Sequence, residues 1–295
     1  MGTWSVSTSG ENYIMEYSNG FKRSIRRSQV TKTSQGAIVT YASSQSPNLT
    51  LAETIYSIQS YSFSAKFSAV SSLDLTGCFL DLIGNDCATL INWGDGTIDS
   101  NLTHTYSISG DYVISVVCDD AFEIYVLGNT ITEFYYALPI GLQNLYLGDN
   151  QIVDFNPSIA LPIGLQDLGL DNNHIVDFNP SIALPIGLQN LELSGNQIVD
   201  FNPSIALPIG LQILNLGSNQ IVNFNPSIAL PIGLQNLELS VNQMTIAGYT
   251  ASETWANAQP SFTSSCNVYF TSNIDSVSGT DLETILISKN CTIIV

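Results

Sequence analysis

The sequence predicts a mainly β protein whose second half coils into a stack of short repeats. The phrase LPIGLQ occurs in five copies at a constant spacing of 23 residues, which begin at Leu138, Leu161, Leu184, Leu207 and Leu230. Each copy continues with an apolar-x-apolar pattern, which suits a short strand with one buried face. Ahead of the repeats, alternating apolar runs are separated by Gly, Asn and Asp clusters, which favours further strands.

Composition limits the partners. The 295 residues include 25 acidic and 7 basic side chains, a net charge of −18. Such a surface repels polyanions, so we expect no nucleic-acid binding. No apolar run reaches the ~18 residues of a transmembrane helix and no secretory leader pattern is visible, so we expect no membrane insertion. The five cysteines, an odd number without a CxxC pair, argue against a disulfide framework.

Residues 1–53 are predicted to be an N-terminal β segment that anchors or docks the protein. Alternation over 13–17 and 37–41 favours short strands. Residues 1–32 have a net charge of +3, against −21 for the remainder. One interpretation is electrostatic docking onto an acidic partner, and the other is a solvated basic loop. The candidate docking residues are Lys22, Arg23, Arg26, Arg27 and Lys32.

Residues 54–120 contain an ordered series of motifs. The run Trp93-Gly94-Asp95-Gly96 is followed by His104-Thr105-Tyr106 and by Gly110-Asp111-Tyr112-Val113-Ile114. This series resembles the PKD-type immunoglobulin-like domain, and the resemblance implies a β-sandwich over 54–120. It also implies packed structural roles for Trp93, Asp95, His104 and Tyr106.

The repeats occupy residues 121–250. The second copy reads Leu165-x-x-Leu168-x-Leu170-x-x-Asn173, and this pattern resembles the leucine-rich repeat family. The resemblance implies a solenoid in which Leu145, Leu168, Leu191, Leu214 and Leu237 share one interior row. A degenerate half-repeat over 124–134 is expected to start the stack. The family's ladder position, which satisfies buried backbone groups, falls on Asn150, Asn173, Asn196, Asn219 and Asn242.

Residues 251–295 are predicted to form a small βαβ cap, because the last repeat of a solenoid exposes apolar surface. We expect helices over 251–258 and 281–288 and strands over 268–270 and 292–295. The second helix should begin after an N-cap at Ser278 or Thr280.

The five copies differ mainly at the predicted strands. The convex phrase FNPSIALPIGLQ is the same whenever it recurs, including polar residues that look exposed. Exposure alone would have let those residues drift too. We therefore hypothesise that the concave face is diversified for recognition, with recent duplication and random change as the alternative. The candidate ligand-binding residues are Asn144, Tyr146, Asp167, Gly169, Asn190, Glu192, Ile213, Asn215, Asn236 and Glu238.

The sequence offers no catalytic set. The two histidines have no nucleophile partner motif, and no phosphate loop, zinc spacing, calcium loop or dinucleotide fingerprint is visible. We therefore predict a protein that is not an enzyme and that uses no cofactor and no metal.

PKD-type and leucine-rich units are common in surface and adhesion proteins. Together with the absence of a visible export signal, they resemble a tailed-bacteriophage virion surface or decoration protein. This resemblance implies a location on the virion surface, docking of residues 1–53 to capsid or tail proteins, and contact between the concave face and a host-surface glycan or protein. The alternatives are a bacterial cell-surface adhesin with a processed leader and a purely architectural, capsid-stabilising decoration protein. Self-association into a homo-oligomer stays open.

Overall fold

The structure is a computed structural model. It describes the backbone of strands between residues 4 and 50, and residues 63–80, 88, 90–118, 121–128, 130–136, 138–155, 160–180 and 182–295. The chain divides into two compact units, Met1–Tyr61 and Ser62–Val295. In the described part, no helix is long and apolar enough to cross a membrane.

The first unit contains two antiparallel sheets of three strands each. The strand expected over 13–17 lies within the strand Asn12–Tyr17. The strand expected over 37–41 coincides with the strand Gly36–Val39 as far as Val39. The boundary placed at residue 53 stays a prediction. The strands are β1 (Trp4–Ser9), β2 (Asn12–Tyr17), β3 (Lys22–Arg26), β4 (Val30–Thr33), β5 (Gly36–Val39) and β6 (Leu49–Thr50).

The second unit contains an antiparallel sheet of five strands. They are β7 (Phe63–Asp74), β9 (Leu90–Asn92), β10 (Ile98–Asp99), β11 (Thr103–Val117) and β13 (Ile131–Tyr136), in the order β10-β9-β11-β7-β13. On β11, Ile114 and Val116 are fully buried while Ser115 between them is half-buried. This period of two is what a strand over a core requires. The two-sheet sandwich implied by the PKD-type resemblance stays a prediction.

A second sheet of nine strands forms one wall of the solenoid. Its strands are β8 (Phe79–Leu80), β12 (Glu123–Tyr125), β14 (Asn144–Tyr146), β15 (Asp167–Gly169), β16 (Asn190–Glu192), β17 (Ile213–Asn215), β18 (Asn236–Glu238), β19 (Cys266–Tyr269) and β20 (Cys291–Ile294). In this sheet, β12 and the strands from β14 to β20 are parallel, and β8 is antiparallel to β12. The predicted leucine row is confirmed, because the pairing register joins Leu145, Leu168, Leu191, Leu214 and Leu237.

Each coil fills its interior with the same side chains. In the second copy the buried positions are Leu165, Leu168, Leu170, Ile175 and Phe178. On the far side from the strands, the phenylalanines stack with ring centroids 6.1–6.5 Å apart. Such stacking adds to the area that each ring buries. The stack runs through Phe155, Phe178, Phe201 and Phe224.

A ladder of asparagine side chains closes the turn after each strand. The Asn196 amide donates to the carbonyls of Leu170 and Leu193, at 2.9 and 3.1 Å, and to that of Ser194 at 3.3 Å. Its Oδ1 accepts from the Ile175 backbone N–H at 2.9 Å. The buried turn therefore keeps its backbone groups paired. The same pattern occurs at Asn150, Asn173, Asn219 and Asn242.

At its first end, the solenoid shares segments with the five-stranded sheet. The expected half-repeat begins as predicted, with Ile124 on β12 in register with Leu145. Its later part also follows the repeat, because the Ile131 N–H donates to Asn150 Oδ1 as the Ile152 N–H donates to Asn173. The same segment, 131–136, is in addition the strand β13, which pairs with β7. The sequence Ile-Thr-Glu-Phe-Tyr-Tyr is rich in β-branched and aromatic residues, which favours a strand there. The predicted boundary between 120 and 121 stays a prediction.

After the last repeat, two helices alternate with two strands that continue the parallel sheet. The helix Ile246–Ala258 begins after the N-cap Thr245, and the helix Asp281–Ser288 after the N-cap Thr280. A further ladder residue, Asn273, donates to the carbonyls of Leu239 and Phe270. That this segment protects the end of the solenoid as a cap stays a prediction.

Candidate functional site

Two columns of side chains flank the leucine row and point away from the interior. We call the surface that they form the strand face; it corresponds to the predicted concave face. The row continues through Ile124 at one end and Val268 at the other. Column one contains the residues before each member of this row, which are Glu123, Asn144, Asp167, Asn190, Ile213, Asn236 and Asn267. Column two contains the residues after each member of the row, which are Tyr125, Tyr146, Gly169, Glu192, Asn215, Glu238 and Tyr269. All ten candidate ligand residues lie in these columns.

Apart from the half-buried Ile213, column one consists of amides and carboxylates, several of which bond to one another. The Asn144 amide donates to Glu123 Oε1 at 2.6 Å, and the Asn190 amide donates to Asp167 Oδ1. At the other end, the Asn267 amide donates to Asn236 Oδ1 at 3.1 Å. These bonds join side chains only, so the column can exchange them for bonds to a partner without exposing unpaired backbone.

Column two begins with a pair of stacked aromatic rings. The rings of Tyr125 and Tyr146 lie 4.7 Å apart at 17°. The next position is Gly169, where a Cβ atom would lie only 2.8 Å from Tyr146 Cδ1. Gly169 thus provides room for the ring instead of a contact group. Burial, with a contribution from Asp167, raises the pKa of Tyr146 to about 12, so its phenol stays protonated and can donate.

The middle of the strand face is acidic. Burial raises the pKa of Glu192, and the nearby carboxylates of Asp171, Asp167 and Glu238 raise it further against a hydrogen bond from Asn215. Among the side chains that the structure describes, the ion pairs are Lys66–Glu133 and His104–Asp95. Neither pair lies on the strand face, whose two columns contain no Lys, Arg or His.

The four residues singled out by the PKD-type motifs form a cluster on the five-stranded sheet. The buried Trp93 ring stacks on His104 at 4.9 Å, and His104 Nε2 lies 2.9 Å from Asp95 Oδ2. The Tyr106 hydroxyl donates to the Trp93 carbonyl at 3.0 Å. The Thr97 backbone N–H, followed by the hydrogen bond to His104, lowers the pKa of Asp95 to about 2. These groups bond within the cluster, which fits a structural role.

On the return side of the repeats, the invariant polar residues join neighbouring coils. Asn179 Oδ1 accepts from both the backbone N–H and the hydroxyl of Ser204, at 2.8 Å each. Asn202 Oδ1 accepts from the Ser227 backbone N–H at 2.8 Å. These residues are exposed, yet their hydrogen bonds connect one coil to the next.

The candidate docking residues lie in the first unit. Lys22, Arg23 and Arg26 belong to β3 and Lys32 to β4, while Arg27 lies outside the described residues. Over the residues that the structure describes, no group of three or more His, Cys, Asp or Glu could hold a metal ion.

Sequence reasoning did not name four members of the strand face. Glu123 and Tyr125 precede the regular copies, and Asn267 and Tyr269 follow them. The signal was an apolar residue in the place of the leucine, Ile124 at one end and Val268 at the other, flanked on each side by polar or aromatic residues.

The parallel sheet, the leucine row and the asparagine ladder define a leucine-rich repeat solenoid in the second unit. No protein-family model matches the chain. No curated protein sequence matches it either. Among solved structures the chain is similar to YopM from Yersinia enterocolitica WA-314, at 20% identity and a TM-score of 0.37, over 60% of this chain and 38% of YopM. The chain thus spans well under half the length of that protein.

Proposed function

We propose that this chain is a non-enzymatic binding protein that recognises its partner with the strand face. One observation carries the proposal: column two changes from tyrosine to glycine, glutamate and asparagine between copies whose interior leucines and ladder asparagines do not change. A face that served only to cover the core would have no use for stacked tyrosines beside uncompensated carboxylates. Solenoids commonly bind through such an extended face.

The side chains of the strand face define the chemistry of the partner. The stacked rings of Tyr125 and Tyr146 present an aromatic surface at one end. The carboxylates of Asp167 and Glu192 accept hydrogen bonds, and the net charge of −18 favours partners that are not anionic. We propose a glycan or protein of a host surface that offers hydroxyl, ammonium or guanidinium donors.

A four-residue variant tests the strand face. Tyr146→Ala, Glu192→Ala, Asn215→Ala and Glu238→Ala together should reduce binding to a glycan array and to a panel of fixed bacterial cells at least about tenfold, because hot-spot residues dominate such surfaces. The matched control is Ile163→Ser with Ile186→Ser and Ile209→Ser, three exposed positions outside the strand face. Unchanged binding by the four-residue variant, or loss of binding by the control alone, would refute the proposal.

We also propose that the protein acts on the surface of a phage particle. The support is the combination of motifs that resemble a PKD-type domain with leucine-rich repeats, and the division of charge, with +3 on residues 1–32 and −21 on the remainder. In this proposal the basic first unit docks on acidic capsid or tail proteins, and the PKD-type region is a spacer. Complementary charge mainly fixes orientation and association rate in such docking.

Co-purification with virions tests the location. We expect the full chain to sediment with particles and a variant lacking residues 62–295 to sediment with them while host attachment falls. Recovery in a bacterial cell envelope without particles would instead identify an adhesin. If the variant that lacks residues 62–295 gives less stable particles with normal host attachment, the protein is an architectural decoration protein.

A further inference from the structure

Two cysteines lie side by side at the edge of the nine-stranded sheet. Cys266 begins β19 and Cys291 begins β20, and the pairing register sets them directly opposite each other. β20 is the edge strand of this sheet. Both residues carry a thiol, and their exposed fractions are 0% and 8%. No sequence motif pairs them, because the helix Asp281–Ser288 lies between them in the chain.

The geometry of this pair suits a covalent bond. Neighbouring strands lie about 4.8 Å apart, which falls inside the Cα–Cα range of disulfides. Side chains at paired positions of parallel strands point to the same side of the sheet. The two buried thiols also interact, so the ionisation of one depends on the protonation of the other. Cys291 is the more exposed of the two, so a dissolved oxidant reaches its sulfur first.

We propose that Cys266 and Cys291 are a redox pair that forms a disulfide when a small disulfide oxidant is present, tying β20 to β19. The Cys291 thiolate attacks one sulfur of the oxidant and expels one thiolate, which gives a mixed disulfide. The Cys266 thiolate then attacks the Cys291 sulfur and expels the second thiolate. The protein loses two hydrogens, and the oxidant is reduced to two thiols that take up the two protons.

The bond would lock the end of the solenoid. It spans the helix Asp281–Ser288, which buries Leu282 and Leu286. Hydrogen bonds now hold the edge strand, including those from Phe270 N–H to the Ile294 carbonyl at 2.8 Å and from Cys266 N–H to the Asn290 carbonyl at 3.0 Å. Repeat stacks open most readily at their ends, so a covalent link there removes an early route of unfolding.

Oxidation of the full chain tests the proposal. Reduced protein is incubated with oxidised glutathione, and its intact mass and alkylated peptides are measured. We expect a loss of about 2 Da and a crosslinked peptide pair containing both cysteines. The melting temperature should rise by about 5 °C, and dithiothreitol should reverse the rise.

Two variants provide controls. Cys291→Ser should show neither the crosslink nor the rise in melting temperature, whereas Cys78→Ser should show both. If Cys291→Ser does not fold, oxidised and reduced wild-type protein still decide the question. Recovery of Cys266 and Cys291 as alkylated thiols after oxidation would overturn the proposal. A link from either residue to another cysteine, or a crosslink that leaves the melting temperature unchanged, would also overturn it.

Discussion

The strand face and the return side of the solenoid come from the same repeats, but their polar residues have different tasks. On the return side, Asn202 accepts from the backbone N–H of Ser227 in the next coil. On the strand face, Asn236 accepts from the side chain of Asn267. The first bond fixes one coil on another, whereas the second only pairs two side chains.

This difference gives a physical cause for the pattern of change between copies. From exposure alone, the polar residues of the return side are expected to vary as freely as those of the strand face, yet they are invariant. The structure shows that exposed Asn179 and Asn202 are bound to the next coil. Their invariance therefore follows from stacking. Variation on the strand face marks the positions that stacking leaves free, and the binding experiment decides whether recognition uses them.

The largest expected effect separates the interior ladder from the strand face within one repeat. Asn196→Ala leaves the Ile175 backbone N–H without its acceptor. It also removes one of the two donors to each of three backbone carbonyls, those of Leu170, Leu193 and Ser194. One buried group left unpaired costs about 1–3 kcal/mol, and the lost bonds to the carbonyls add to this cost, so the free energy of unfolding in urea should fall by about 3 kcal/mol.

The matched change is Asn190→Ala, the same substitution six residues earlier. Asn190 is half-buried on the strand face, and the described bond of its side chain goes to the Asp167 side chain, not to the backbone. This substitution should lower the free energy of unfolding by less than about 1 kcal/mol. Equal losses for the two variants would mean that the strand face is as constrained as the ladder.

An intermediate effect is expected on the return side. Asn202→Ala deprives the Ser227 backbone N–H of its acceptor, although water can partly replace it, so we expect a loss of about 1 kcal/mol. Asn236→Ala on the strand face should change the free energy of unfolding by no more than about 0.5 kcal/mol. Urea unfolding of both variants in parallel measures the difference. A reversed order would contradict the assignment of stacking to the return side.

The sequence predicts those parts of the fold that repeat locally. Leu168 and Asn173 recur at a fixed spacing, so their row and ladder follow from period alone. Phe79 pairs with Ile124 although β9, β10 and β11 lie between them in the sequence, and β13 pairs with β7. No periodic signal reports such distant pairings. The bond from Ser227 to Asn202 was missed because exposure in a pattern does not reveal a partner in the next coil.

The smallest expected effect concerns the charge of Glu192. Burial raises the pKa of this carboxyl in the folded chain, so the folded state favours the protonated form more than the unfolded state does. Stability should therefore fall as pH rises from the ordinary glutamate pKa, about 4.3, through the raised value. Glu192→Gln removes this loss, so the variant should be slightly more stable than wild type at neutral pH and nearly equal to it in mild acid.

Urea midpoints of both proteins between about pH 4 and about pH 8 measure this difference. Asp171→Asn is the companion variant, because the Asp171 carboxylate contributes to the raised pKa of Glu192. It should reduce the pH dependence without abolishing it, since burial, the largest cause, is unchanged. If Glu192→Gln is less stable than wild type at neutral pH, the Glu192 carboxylate supports the fold. The acidic centre of the strand face would then have a structural role, as the polar residues of the return side do.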